Sequence, residues 1–137
     1  MSVDILRLAA EDLHDIDVQS QHYDSWRKTV ACLGTLQPYL ENDYTVTVID
    51  DETEDVLACL GIVDGDECGL AWSYLCKDLK KHMLAVTRIS WHYCLEPYRL
   101  EKGQAFAEID SQHPEAVRWA RILGFKPYGK DNWWVYE

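Results

Sequence analysis

Apolar residues in alternation mark the strands of this chain, and apolar residues three and four positions apart mark its helices. Val3–Leu8 alternates enough for an opening strand, and Ala9–Asp17 predicts a short helix behind it. Tyr23–Leu36 carries Trp26, Val30, Cys32 and Leu33 at helical spacing, with Gly34 and Pro38 marking its end. Tyr44–Ile49 is rich in β-branched residues and reads as a strand. The acidic run Asp50–Asp55 is a solvated turn, Val56–Val63 is a strand apolar on both faces, and Gly69–Leu75 follows the Asp64–Asp66 turn as a further strand. Asp78–Tyr93 places Leu79, Met83, Val86 and Tyr93 on one helical face, and Glu96-Pro97 is expected to end that helix, because proline disfavours helical backbone in the residue before it. Gln104–Ile109 is a strand behind the Lys102-Gly103 turn.

The clearest element comes last. Pro114 suits the first helical position, with His113 as its N-cap. Ala116, Trp119, Ala120 and Leu123 then fall at i, i+3, i+4 and i+7, and Gly124 stops the helix. Lys126–Tyr128 and Trp133–Tyr136 finish as two short strands. The order β-α-α-β-β-β-α-β-α-β-β contains an antiparallel meander and then one strand–helix–strand unit, which implies a parallel pair joined by a right-handed crossover. The fold class is therefore α+β: one domain over residues 1–137, a mixed sheet with helices on both faces.

Composition narrows the function. With 47% hydrophobic residues in 137, the chain can bury a real core. Acidic residues outnumber basic ones 24 to 13, a formal charge of -11, which argues against binding a nucleic-acid backbone. Met1–Val18 carries Asp4, Glu11, Asp12, Asp15 and Asp17 and does not read as a secretory signal. No apolar run approaches the roughly 20 residues that span a bilayer. The five cysteines include no C-x-x-C pair, so they are expected as reduced, mostly buried thiols in a cytoplasm. The five histidines are scattered and no metal site is expected.

The element order, together with Asp110-x-x-His113-Pro114 and the helix ending Leu123-Gly124-Phe125, resembles the GCN5-related N-acetyltransferase (GNAT) superfamily. That family's last helix commonly opens N-x-x-A/S and closes L-G-F; Asp110 stands here where asparagine is usual. The chain is most similar to the small GNAT-like proteins of T7-like bacteriophages, which share a Trp near the end of the fourth strand (Trp72) and a lysine-rich helix start after it.

The resemblance implies an acyl-CoA-dependent transfer to an amine of a protein or small molecule, with acetyl-CoA as co-substrate. Splayed fourth and fifth strands would let the pantetheine arm pair with free backbone groups at Tyr74, Leu75 and Cys76, and Asp110 would join the cofactor site. The diphosphate would sit at the next helix N-terminus, where free N–H groups favour anions. The family's Q/R-x-x-G-x-G/A loop is replaced by Cys76–His82, which has no glycine, so Lys77, Lys80 and Lys81 are expected to supply charge instead. The other reading of these lysines is a solvated helix start capped by Asp78. Glu108, inside a strand expected to be central, is the candidate general base through desolvation, unless it pairs with Arg88, Arg118 or a backbone donor. The family's usual acid, a tyrosine four residues before the glycine of L-G-F, is Ala120 here; Tyr128 could substitute geometrically, but its other reading is a packed strand aromatic, which leaves the acid role unfilled. An acidic surface favours cationic acceptors. Trp133 and Trp134 alternate faces of a terminal strand, so one indole is read either as exposed for docking a partner such as a host protein or as plainly buried under the first helices. The alternative reading is a catalytically inactive scaffold that binds a host protein or belongs to a virion.

Overall fold

The computed structural model describes residues 2–137. Seven strands form one sheet: β1 (Val3–Arg7), β2 (Thr45–Asp50), β3 (Val56–Asp64), β4 (Gly69–Leu75), β5 (Ala105–Glu108), β6 (Lys126–Pro127) and β7 (Trp133–Tyr136). Their spatial order is β1-β2-β3-β4-β5-β7-β6. Every neighbouring pair is antiparallel except β4–β5. The mixed sheet expected from the sequence is what forms.

One face carries α1 (Asp12–Asp15), α2 (Tyr23–Ala31) and α3 (Leu33–Leu40). Asp12 anchors this layer: its carboxylate accepts from the Ala9 N–H at 3.0 Å and the Thr47 hydroxyl at 2.7 Å. The single helix expected over Tyr23–Leu36 is two, broken at Cys32, and Pro38 lies inside the second rather than beyond it. An interior proline costs a helix about 3 kcal/mol. Burial of Leu40 and packing of Leu33 and Leu36 on the main core offset it.

The other face carries α4 (Met83–Ile89), α5 (Glu96–Glu101) and α6 (Pro114–Leu123). Pro97 does not end the helical run. A π-helical stretch, Ser90–Leu95, precedes it and the Glu96 N–H reaches back five residues to the Trp91 carbonyl. This wider turn removes the carbonyl register into which a proline ring would otherwise collide, so α5 starts with Pro97 in its first turn. The α6 helix matches the expected span, and Gly124 closes it in the left-handed conformation at φ 105°. His113 precedes it without a side-chain capping bond.

Two apolar clusters result. The larger lies under α1–α4 around Leu13, Val48, Cys59 and Val86; the smaller joins α5 and α6 to β5 and β7 through Tyr98, Ala107, Leu123 and Trp134. Between them the sheet opens.

Candidate active site

The parallel ladder between β4 and β5 lasts for two residue pairs, Gly69↔Ala105 and Leu70↔Phe106, and then the strands separate. Which backbone groups face the gap follows from the β3–β4 register. In an antiparallel pair, alternate residues direct both N–H and C=O at the partner. The Cys76 N–H donates to the Leu57 carbonyl at 2.9 Å, so Cys76, Tyr74 and Trp72 face β3, and Ser73, Leu75 and Lys77 face the gap.

This corrects the expectation that Tyr74, Leu75 and Cys76 all offer free backbone. Only Leu75 points the right way, and its carbonyl is occupied. The segment Asp17-Val18-Gln19 lies along the end of β4 as an antiparallel strap bridging Val18 to Cys76. The Gln19 N–H donates to the Leu75 carbonyl at 2.9 Å, and the Lys77 N–H donates to the Asp17 carbonyl at 2.9 Å. An exposed ion pair, Lys77 Nζ to Asp17 at 3.3 Å, adds to it. Among the described residues the Ser73 N–H, the Ser73 carbonyl and the Leu75 N–H have no partner.

The gap opens into a cavity of about 1330 Å³. Its wall from β4 includes Trp72, Ser73 and Tyr74. The Tyr74 hydroxyl is held between Ser25 Oγ at 3.0 Å and Thr29 Oγ1 at 2.8 Å, which locks the ring against α2. Trp72 Nε1 is buried with no acceptor among the described residues. A buried donor left unpaired is destabilising by about 1–3 kcal/mol, so a ligand carbonyl there would be well received.

Of the remaining expected residues, Glu108 and Asp110 line the cavity; Lys80 and Lys81 do not. Glu108 is exposed rather than buried, because it ends β5 where the sheet has opened, and it pairs with neither Arg88 nor Arg118 among the described residues. The burial on which the general-base expectation rested is absent. Asp110 accepts from the Gln112 N–H at 2.9 Å and stands 3.7 Å from His113 Nε2. Lys80 and Lys81 are exposed in a 3-10 turn (Lys80–His82) whose preceding residue is Leu79, so Asp78 is not the cap. Ala120 is buried in the cavity wall and supplies no acid. Tyr128 is exposed, edge-on to Phe106 with ring centroids 5.0 Å apart, and does not line the cavity.

The C-terminal aromatics divide as their alternation predicts, with Trp133 partly exposed and Trp134 buried under the Arg121 guanidinium, 5.1 Å from its ring centroid. However, β7 is an interior strand between β5 and β6. Trp134 therefore cannot be a docking residue. Cys59 and Cys94 are buried, and desolvation pushes both thiols up to about 12, which removes them as thiolate nucleophiles.

One cavity residue has no counterpart in the sequence reading. His22, between the strap and α2, is half-buried with its ring edge-on to Tyr74 at 6.0 Å. Burial lowers its pKa from the ordinary imidazole value of 6.5, and the positive charge available at His113 across the cavity lowers it further. No local pattern could have singled it out, because its partners are some 50 and 90 residues away in the chain.

No family model matches the chain and no curated protein matches it by sequence. Solved structures do match by fold. Ard1 from Thermoplasma volcanium superposes with a TM-score of 0.68 at 11% identity, over 98% of this chain and 95% of that one. A GNAT-family acetyltransferase from Bacillus anthracis gives 0.63 at 11% identity, covering 99% and 92%. A variant of the spermidine N-acetyltransferase SpeG from Vibrio cholerae gives 0.54 at 12% identity, covering 93% and 81%. With the seven-stranded order and the splay of β4 from β5, these likenesses establish that the chain has the GNAT fold.

Proposed function

We propose that this protein transfers an acyl group from acetyl-CoA or a related acyl-CoA to an amine. The observation that carries the reading is the gap between β4 and β5, where the free Ser73 backbone and Leu75 N–H edge a cavity of about 1330 Å³. Pantetheine is an extended chain bearing two amides, and such a chain pairs with an open strand edge as an added strand would. The Leu75 carbonyl becomes available to it when the strap lifts. Lys80 and Lys81, exposed beyond the strap, would attract the diphosphate as point charges in place of a glycine-lined cradle. Asp110 would help to order the cofactor end of the loop before α6.

The acceptor side is acidic. Glu108, Asp110 and Glu115 line the cavity against one guanidinium, Arg118, in a chain of net charge -11. This balance favours a cationic amine, such as a polyamine or a lysine side chain, over an acceptor carried on a nucleic acid. Thiol release from acetyl-CoA, followed in the presence of spermidine and of a lysine-rich peptide, tests the reading. Release stimulated by either amine supports it; no release above the amine-free rate for either overturns it.

The strap, the glycine-free start of the helical run after β4 and Ala120 at the usual acid position favour a second reading, a non-catalytic binding module. That reading extends to the phage-type role in which the chain joins a virion or binds a host protein. It expects coenzyme A to bind weakly or not at all. Among the described residues no helix is long and apolar enough to cross a membrane.

A further inference from the structure

The geometry points to His22 as the general base that deprotonates the acceptor amine, a role resting on the acyltransferase reading above. Three placements converge on it. His22 lines the cavity, on the short segment that joins the strap to α2, so it lies beside the β4 edge where the thioester would lie. Neither ring nitrogen has a hydrogen-bond partner among the described residues; the Tyr74 hydroxyl is held by Ser25 and Thr29 and the Asp110 carboxylate by Gln112 and His113, and the Glu108 and Glu115 carboxylates are exposed where His22 is half-buried. Edge-on contact with the Tyr74 ring, itself locked, fixes the imidazole plane.

The charged and titratable groups sharing its cavity are Tyr74 from β4, Cys94 from the π-helical stretch, Glu108 from β5, Asp110 and His113 from the following loop, and Glu115 and Arg118 from α6. Burial and His113 both favour the neutral imidazole, so at neutral pH the ring presents a lone pair. The carboxylates opposite hold the incoming ammonium. His22 takes one proton from R–NH3+, leaving the free amine. Its nitrogen attacks the thioester carbonyl, a C–N bond forms and the C–S bond breaks. The departing thiolate receives the second proton lost by the same nitrogen and leaves as free coenzyme A thiol. His22 then releases its proton to water through the open cavity. The chain thus needs no separate acid at Ala120 or Tyr128.

The test compares the unsubstituted protein with His22→Gln and His22→Ala, using acetyl-CoA with spermidine and a lysine-rich peptide across pH 5 to 9. A general base is worth about 100-fold or more in kcat. The expected result is a loss of that size in His22→Gln with KM for acetyl-CoA nearly unchanged, disappearance of the acid limb of the kcat/KM profile, and partial rescue of His22→Ala by added imidazole. Activity within about threefold and an unaltered pH profile in both folded variants would overturn the role of His22 and leave acyl transfer standing. Absence of turnover in the unsubstituted protein would instead overturn both readings together.

Discussion

Replacing Gln19 by proline tests whether the strap and the pantetheine arm compete for the same edge of β4. Gln19 sits at φ -60°, the value proline imposes, and Val18 before it is in an extended bridge, so the ring enters without strain. The substitution deletes one bond, Gln19 N–H to the Leu75 carbonyl at 2.9 Å. A net hydrogen bond of this kind contributes about 1 kcal/mol, and lifting the strap becomes easier by that amount. Coenzyme A should therefore bind about fivefold more tightly to Gln19→Pro, while stability against urea falls by about 1 kcal/mol. Gln19→Ala keeps the N–H and loses only the side chain; its affinity should match that of the unsubstituted protein. Isothermal titration with coenzyme A reads all three. Unchanged or weaker binding to Gln19→Pro would refute the competition and place the ligand elsewhere.

Three further outcomes follow from the same geometry. Charge reversal in Lys80→Glu with Lys81→Glu should weaken coenzyme A binding at least tenfold and flatten its dependence on salt, since the neighbouring Lys77 is paired with Asp17; unchanged affinity would remove the diphosphate from this position. Arg99 and then Tyr136, both hydrogen-bonded to Glu96 at 2.7 and 2.5 Å, hold its carboxyl at about 2. Because the folded value lies below the unfolded one, the stabilisation is complete above about pH 4.5 and fades as pH falls toward 2; urea unfolding of Glu96→Gln should differ from the unsubstituted protein at pH 6 and converge with it near pH 2. A methyl at Gly69 would meet Ile62 Cγ2 at 2.5 Å and the Tyr98 ring at 2.7 Å, at the root of the splay, so Gly69→Ala should lose about 1–3 kcal/mol in urea unfolding.

Local patterns carried the sheet and α6, because strand alternation and the Ala116–Leu123 stripe are properties of contiguous residues. The helical layers were less legible. Pro38 and Pro97 read as stops, and each was overridden, the first by leucine packing on the core and the second by a π turn whose bonding no periodicity reveals. Glu108 was misjudged because a central strand usually buries its residues; it occupies the last position of β5, where the neighbour has already departed. The site was the least legible part. Pairing between Val18 and Cys76 joins residues far apart in the chain through backbone alone and leaves no trace in residue type. His22 becomes notable only once Tyr74 and His113 are beside it.

Acyl transfer requires the cavity between β4 and β5 to accept an acyl-CoA, and calorimetric titration of the protein with acetyl-CoA and with free coenzyme A tests that most directly. Micromolar binding of both ligands, one per chain, is the predicted result. No heat of binding up to millimolar ligand would contradict the account and leave the chain a GNAT-fold binding module.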